Sequence, residues 1–161
     1  RRTFARQKRY RLMWMDTRYE PGEVKAVAYD EQGRKRMEQV VRTAGEPYRI
    51  VLQADKDTLD AGLRDEDLAF VTVSVVDREG NLCPDAQHRV KFSVRGAGYY
   101  KAGANGNPVC LEPFSRPQMT VFNGRMTAIV AEKGQAGTIR LKAEAKGLKS
   151  GELLLQVVPS K

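Results

Sequence analysis

Histidine is almost missing from this sequence: His88 is the only one in 161 residues. A His-based catalytic triad or a His-rich metal site therefore has little to be built from. Cysteine is scarce too. Cys83 and Cys110 sit in turn-like sequence, and their spacing fits neither a zinc site nor a redox pair. Two readings stay open for them, a single bridge of the kind an oxidising compartment permits or two partly buried free thiols. No apolar run approaches the roughly 20 residues of a helical membrane span, so no membrane partner is expected. No stretch sustains a helical hydrophobic period. There is no G-x-S-x-G, no phosphate loop and no Cys/His couple, and no cofactor or metal is expected. The start, RRTFARQKRYRL, is basic but lacks a following apolar segment, so it is not read as a signal peptide. It also lacks an initiating Met, which suggests a piece of a longer polypeptide.

What the chain has in quantity is alternation. In Leu68 to Asp77, Val71, Val73 and Val75 point one way and Thr72 and Ser74 the other. That is the period of a half-buried strand, and β-branched residues fit its pleated surface. Asp77-Arg78-Glu79-Gly80-Asn81 is turn chemistry. Val90, Phe92 and Val94 then alternate with Arg89, Lys91, Ser93 and Arg95, until Gly96 and Gly98 stop or bend the strand. Two strands that each bury one face need a second sheet over them. Tyr48, Ile50, Leu52 and Ala54 form one such set. Ile139, Leu141, Ala143 and Ala145 form another, and Leu153, Leu155 and Val157 a third. Met119–Phe122, Asn123-Gly124 and Arg125–Ala131 read as strand, hairpin turn, strand. Asp55–Glu66 and Tyr99–Gln118 are expected to be loops, the latter for its Gly, Asn and Pro content. About seven strands in roughly 110 residues predict an all-β, immunoglobulin-like β-sandwich over residues 48–161. Its core must be aliphatic, because the only tryptophan, Trp14, lies outside it.

Residues 1–47 read as a separate, truncated small β-sheet unit. Leu12 and Trp14 alternate in one strand, Pro21-Gly22 supplies a turn, and Glu23–Tyr29 and Arg36–Thr43 supply two more strands. Three such strands make too small a core to stand alone. Leu12, Trp14, Val24 and Val27 are therefore expected to be partly exposed, or covered by the second unit or by another copy of the chain, a route to self-association. Ala44–Pro47 is the punctuated link. Of the net charge of +8, the first 47 residues carry twelve Lys and Arg against seven Asp and Glu. Arg1, Arg2, Arg6, Lys8, Arg9 and Arg11 form a basic arm. No nucleic-acid motif accompanies it, so a solvated end or a strand parted from its sheet is preferred to a nucleic-acid partner.

Few residues look chemical. Asp55, Asp57, Asp60, Asp65, Glu66 and Asp67 form an acidic stretch, but Leu59 and Leu63 fall where a calcium loop wants ligands. Glu112, Glu132 and Glu152 are lone acids with no partner across a cleft, as glycoside hydrolysis needs. Tyr99 and Tyr100, with Asn105 and Asn107 following, are the one ligand-like stretch: rings stack on sugars and amides bond hydroxyls. The alternative is that one tyrosine plugs the sandwich and the Asn/Gly residues only make turns.

DLAFVTVSVVDREGNLCPDAQHRVKFSVRGAG, then GANGNP, EPF and FNGRMTAIV, resemble the final immunoglobulin-like domain of bacterial β-galactosidases of glycoside hydrolase family 2. YRLMWMDTRYEPGEVKAVAYDEQG and VVRTAGEP resemble the back half of the small β domain that precedes it. Ala61–Asp67 departs from the family, which usually has a shorter turn there. The resemblance implies a non-catalytic C-terminal fragment of a periplasmic or secreted parent. The parent's catalytic glutamates would lie in an upstream barrel, so no catalytic residue is assigned to this chain. Two functions are weighed. One is a structural accessory module whose partners are the upstream domains of the parent glycosidase. The other is a carbohydrate-binding module using the Tyr99–Asn107 loop.

Overall fold

The computed structural model describes residues 5–7, 12–62 and 66–160, and divides the chain into two compact units, 1–43 and 44–161. Most of the basic arm lies outside the described residues. So do Leu63, Arg64 and Asp65 of the variant loop, and the side chain of Leu12. The expected boundary followed Pro47; the observed one comes a few residues earlier. The reason is local. The Gly45 amide donates to Asp77 Oδ2 at 2.8 Å, and Ala44 packs against the second unit's core, so the link is stapled to that unit.

The described residues of the first unit form two antiparallel pairs. β1 (Ala5–Gln7) pairs with β2 (Leu12–Trp14), and β3 (Glu23–Tyr29) with β4 (Lys35–Arg42). The β3–β4 turn is organised by Asp30. Its carboxylate accepts the backbone amides of Gln32 (3.0 Å) and Arg34 (2.8 Å) and pairs with the Arg34 and Arg36 side chains. Thr43 and Gly22 close the far end through two hydrogen bonds. Trp14 is 45% exposed and Val24 61%, while Val27 is half-buried, in line with the expectation for a small core.

Among its described residues the second unit is a sandwich of nine strands: β5 (Arg49–Ala54), β6 (Thr58–Ala61), β7 (Leu68–Val76), β8 (Arg89–Gly96), β9 (Gly98–Ala104), β10 (Gln118–Thr120), β11 (Arg125–Glu132), β12 (Gly137–Glu144) and β13 (Gly151–Pro159). One sheet has the order β10-β8-β12-β13-β6, the other β5-β7-β11-β9. All pairs are antiparallel except β6 with β13. There is no helix among the described residues, and the fold is all-β. The alternating aliphatic residues meet between the sheets: Val71, Val73 and Val75 from one, Val90, Ile139, Leu141 and Leu155 from the other, all fully buried. Each such side chain contributes about 1.5–3 kcal/mol by leaving water.

Three expectations about elements are corrected. Asp55–Glu66 is not all loop, since Thr58–Ala61 forms β6 and buries Leu59 and Ala61. Tyr99–Gln118 is not all loop either: β9 runs through Ala104, and Gln118 opens β10. The Asn123-Gly124 turn (φ 50° and 71°) is closed as expected by an antiparallel Phe122–Arg125 bridge, but the hairpin goes no further: β10 pairs with β8 and β11 with β7 and β9, so the turn carries the chain from one sheet to the other. Among the described residues, the tightest of the other crossings between the sheets is Gly96-Ala97-Gly98, which joins β8 directly to β9. Gly96 has φ +88°, and a Cβ there would stand 2.1 Å from the Thr138 carbonyl oxygen.

Candidate functional site

The ligand-like residues fall on β9 and the loop after it. Tyr99 and Tyr100 are consecutive strand positions, so their side chains leave opposite faces. Tyr100 turns inward and stacks on Phe92, with ring centroids 5.4 Å apart. Its hydroxyl is buried with no hydrogen-bond partner among the described residues, and burial pushes its pKa up to about 12. Tyr99 turns outward and donates its hydroxyl to Glu66, which also pairs with the Lys101 ammonium. The Lys101 bond, then the Tyr99 bond, holds the Glu66 carboxyl below its ordinary range. The carboxylate in turn raises both Tyr99 and Lys101.

The two asparagines serve the fold. Asn105 donates its amide to the Thr120 carbonyl (2.9 Å) and accepts the Asn107 backbone amide (3.0 Å). Asn107 accepts the Val109 amide at 3.1 Å. Glu112 accepts the Thr120 amide at 3.1 Å, and the Phe114 carbonyl accepts the Gly103 amide at 2.9 Å. β10 and β9 are edge strands of the two sheets. The 105–117 loop therefore closes one side of the sandwich by satisfying outward backbone groups on both edges, which would otherwise invite further strand pairing. Tyr99, Tyr100, Asn105 and Asn107 are not gathered into one sugar-binding surface: one ring is inside, the other is tied to Glu66, and the amides are engaged in the loop. Val109, Leu111 and Phe114 on the same loop are 78%, 96% and 57% exposed.

The acidic stretch is likewise occupied. Asp55 accepts the amides of Lys56 and Phe70, both at 2.9 Å. Asp67 accepts those of Asp60 and Leu68 and pairs with Lys56, whose ammonium holds its carboxyl low. Asp65 lies outside the described residues. Among the described residues no three His, Cys, Asp or Glu side chains are placed to hold one metal ion. Glu132 is buried and accepts the Gly134 amide, whereas Glu152 pairs with Arg140 on the surface. Of the two readings for the cysteines, the structure has free thiols, Cys83 buried and Cys110 half-buried. Burial raises the Cys83 thiol.

One cluster was not singled out from the sequence. Arg78 lies 4.3 Å above the Tyr48 ring centroid and Lys149 lies 4.8 Å from it. Arg49 adjoins Tyr48 in the chain. Arg78 and Lys149 lie 30 and 101 positions beyond Tyr48, so no local pattern announces them.

Comparison with known proteins places this sandwich. The model for glycoside hydrolase family 2 C-terminal domain 5 matches residues 50–154, and that of a domain of unknown function matches residues 1–37. The chain is similar to a β-galactosidase of Bacteroides ovatus, at 40% identity over 84% of this chain and 16% of that enzyme. It is also similar to a β-glucuronidase of Formosa agariphila, at 28% identity over 88% of this chain and 14% of that enzyme. A solved glycosyl hydrolase family 2 member from Bacteroides cellulosilyticus superposes with a TM-score of 0.80 and 26% identity, over 88% of this chain and 18% of that one. The chain thus spans under a fifth of the length of the relatives it matches. On the sandwich's match to their C-terminal domain, the chain belongs to glycoside hydrolase family 2.

Proposed function

We propose that this chain is a non-catalytic accessory module of a longer, β-galactosidase-like glycoside hydrolase, and that it braces that parent by docking against its other domains. The observation that carries the reading is the 105–117 loop. It is pinned to both sheet edges by Asn105, Glu112 and Phe114, yet it holds Val109, Leu111 and Phe114 out to solvent. A fixed loop with exposed apolar side chains loses little entropy on docking and gains by burying them. The share of the relatives' length supports a parent with further domains to dock against. The 40% identity to a β-galactosidase supports the activity class of that parent.

Two measurements test the proposal. This polypeptide, incubated with an aryl β-galactoside, is expected to give no turnover above buffer; turnover by it would overturn the reading. In the parent enzyme, Leu111→Asp with Phe114→Ser is expected to lower the Tm by several degrees. In this chain alone the same pair is expected to leave the Tm nearly unchanged. A parent indifferent to both substitutions would remove the docking role.

A further inference from the structure

The Tyr48 corner is built by three separate segments. Its backbone is held from both sides. The Tyr48 amide donates to the Val76 carbonyl at 2.9 Å, and the Lys149 amide donates to the Tyr48 carbonyl at 2.9 Å. The Ile50 amide donates to the Lys149 carbonyl at 3.0 Å. Arg78 follows Val76 by two residues, so the first of these bonds sets it over the ring, and the others set Lys149 there. Arg49 reaches toward the same turn: a Cβ on Gly80 would lie 3.7 Å from Arg49 Nη2. Backbone geometry thus sets Arg78 and Lys149 over one half-buried phenol, and Arg49 reaches the turn that carries Arg78.

Their acids are elsewhere. Among the described residues, Arg49, Arg78 and Lys149 form no ion pair. Asp77, in the same 77–81 turn, is buried and accepts the Gly45 and Asn81 amides. Glu79 and Glu46 are exposed and pair with none of the three. The ring's π-face offsets part of the charge of the two cations stacked on it. It supplies no counter-charge for three. The guanidinium fork suits a planar or tetrahedral oxyanion, which it can bind through two parallel hydrogen bonds. The Tyr48 hydroxyl offers a further donor. The field is already felt there: Lys149 first, then Arg78 and Arg49, hold the phenol's pKa below its ordinary value.

We propose that Tyr48, Arg49, Arg78 and Lys149 form a binding site for an oxyanion, a sulfate or carboxylate group either free or carried by a saccharide. The site is separate from the 105–117 loop and does not depend on the docking role proposed for it.

The test uses this chain and follows the Tyr48 ring resonances by NMR during titration with inorganic sulfate, galactose 6-sulfate, glucuronate and galactose. Saturable shifts at Tyr48 are expected for the three anions, with Kd on the order of 1 mM, and none for galactose. Added NaCl should weaken all three, since the cations are exposed. Arg78→Gln with Lys149→Gln is expected to weaken binding about tenfold or more. Lys101→Gln, which belongs to the Glu66 cluster, should leave it unchanged. Tighter binding of galactose 6-sulfate than of sulfate would assign a saccharide-borne anion, and equal binding a free one; both support the site. Absence of saturation for every anion would overturn it. So would undiminished affinity in a double variant whose Tm shows it is folded.

Discussion

Tyr100 and Gly103 illustrate how a side chain can fit a core while its polar end does not. The ring stacks on Phe92, but the hydroxyl is buried without a partner among the described residues. An unsatisfied buried hydroxyl typically costs about 1–3 kcal/mol. Tyr100→Phe removes the atom and keeps the ring, so urea denaturation is expected to show equal or higher stability, by up to about 1 kcal/mol. Tyr100→Ala is expected to cost about 3–5 kcal/mol through the cavity it leaves. Gly103 is coupled to the same atom, since a Cβ there would lie 2.3 Å from the Tyr100 hydroxyl oxygen. Gly103→Ala should therefore destabilise the wild type more than it does the Tyr100→Phe background. Equal costs in the two backgrounds would show that the hydroxyl is not what Gly103 avoids.

Asp77 gives the second residue-scale prediction. Its carboxylate accepts the Gly45 amide, the largest influence, and the Asn81 backbone and side-chain amides. These outweigh burial, which pushes the other way, and bring the pKa down from 3.8 to about 2. A folded-state pKa below the unfolded one means stabilisation that is complete above 3.8 and lost as pH falls through about 2. The Tm should fall over that window, and Asp77→Asn should flatten this part of the profile while lowering the Tm at neutral pH. A profile unchanged in the variant would assign the acid sensitivity to other carboxyls. The sequence marked Asp77 as turn chemistry. It gave no sign that the partner would be Gly45, which is 32 positions away.

Among the elements, strands with a strong two-residue period were legible and those without were not. Leu68–Val76, Arg89–Gly96 and Gly137–Glu144 each bury one face of β-branched or aliphatic residues, and both ends were readable to within a residue or so. β6 is four residues, Thr-Leu-Asp-Ala, and exists because β13 offers it a parallel partner nearly a hundred positions later. β9 carries two glycines and two tyrosines of opposite sidedness, a composition that reads as loop until β11 is beside it. The Asn-Gly turn was visible, but a turn's type does not reveal which sheet its second strand joins. The same limit hid the edge-covering role of Asn105, Asn107 and Glu112. Their residue types fit a turn or a sugar equally well, and only the position of Thr120 decides between them.

The sheet crossing at Gly96 is the element-scale point most sensitive to change. At φ +88°, with the Thr138 carbonyl 2.1 Å from where a Cβ would sit, an L side chain meets both strain and collision with backbone. Gly96→Ala is expected to cost at least about 2 kcal/mol, whereas Gly134→Ala, also at positive φ but in open space, should cost about 1 kcal/mol. Similar denaturation midpoints for the two variants would indicate that the β8–β9 crossing relaxes freely.

At the scale of the whole molecule, the two units differ in what holds them. In the second, fully buried Val, Ile, Leu and Met side chains from both sheets form one continuous cluster. In the first, Val24, Met37 and Val41 lie on the β3–β4 pair at 61%, 70% and 64% exposure, so its strands rest on hydrogen bonds and surface ion pairs. Exposed ion pairs contribute about 0–1 kcal/mol each, and a two-stranded pair is marginal in water. Residues 44–161 alone should therefore fold cooperatively, with a Tm within a few degrees of the full chain. Amide hydrogen exchange in the full chain should find protection near the global stability in β7, β8, β11 and β12, and near zero in β3 and β4. Protection in β3 and β4 equal to that in β7 would mean the first unit draws its stability from burial that the exposures of Val24 and Val41 do not show.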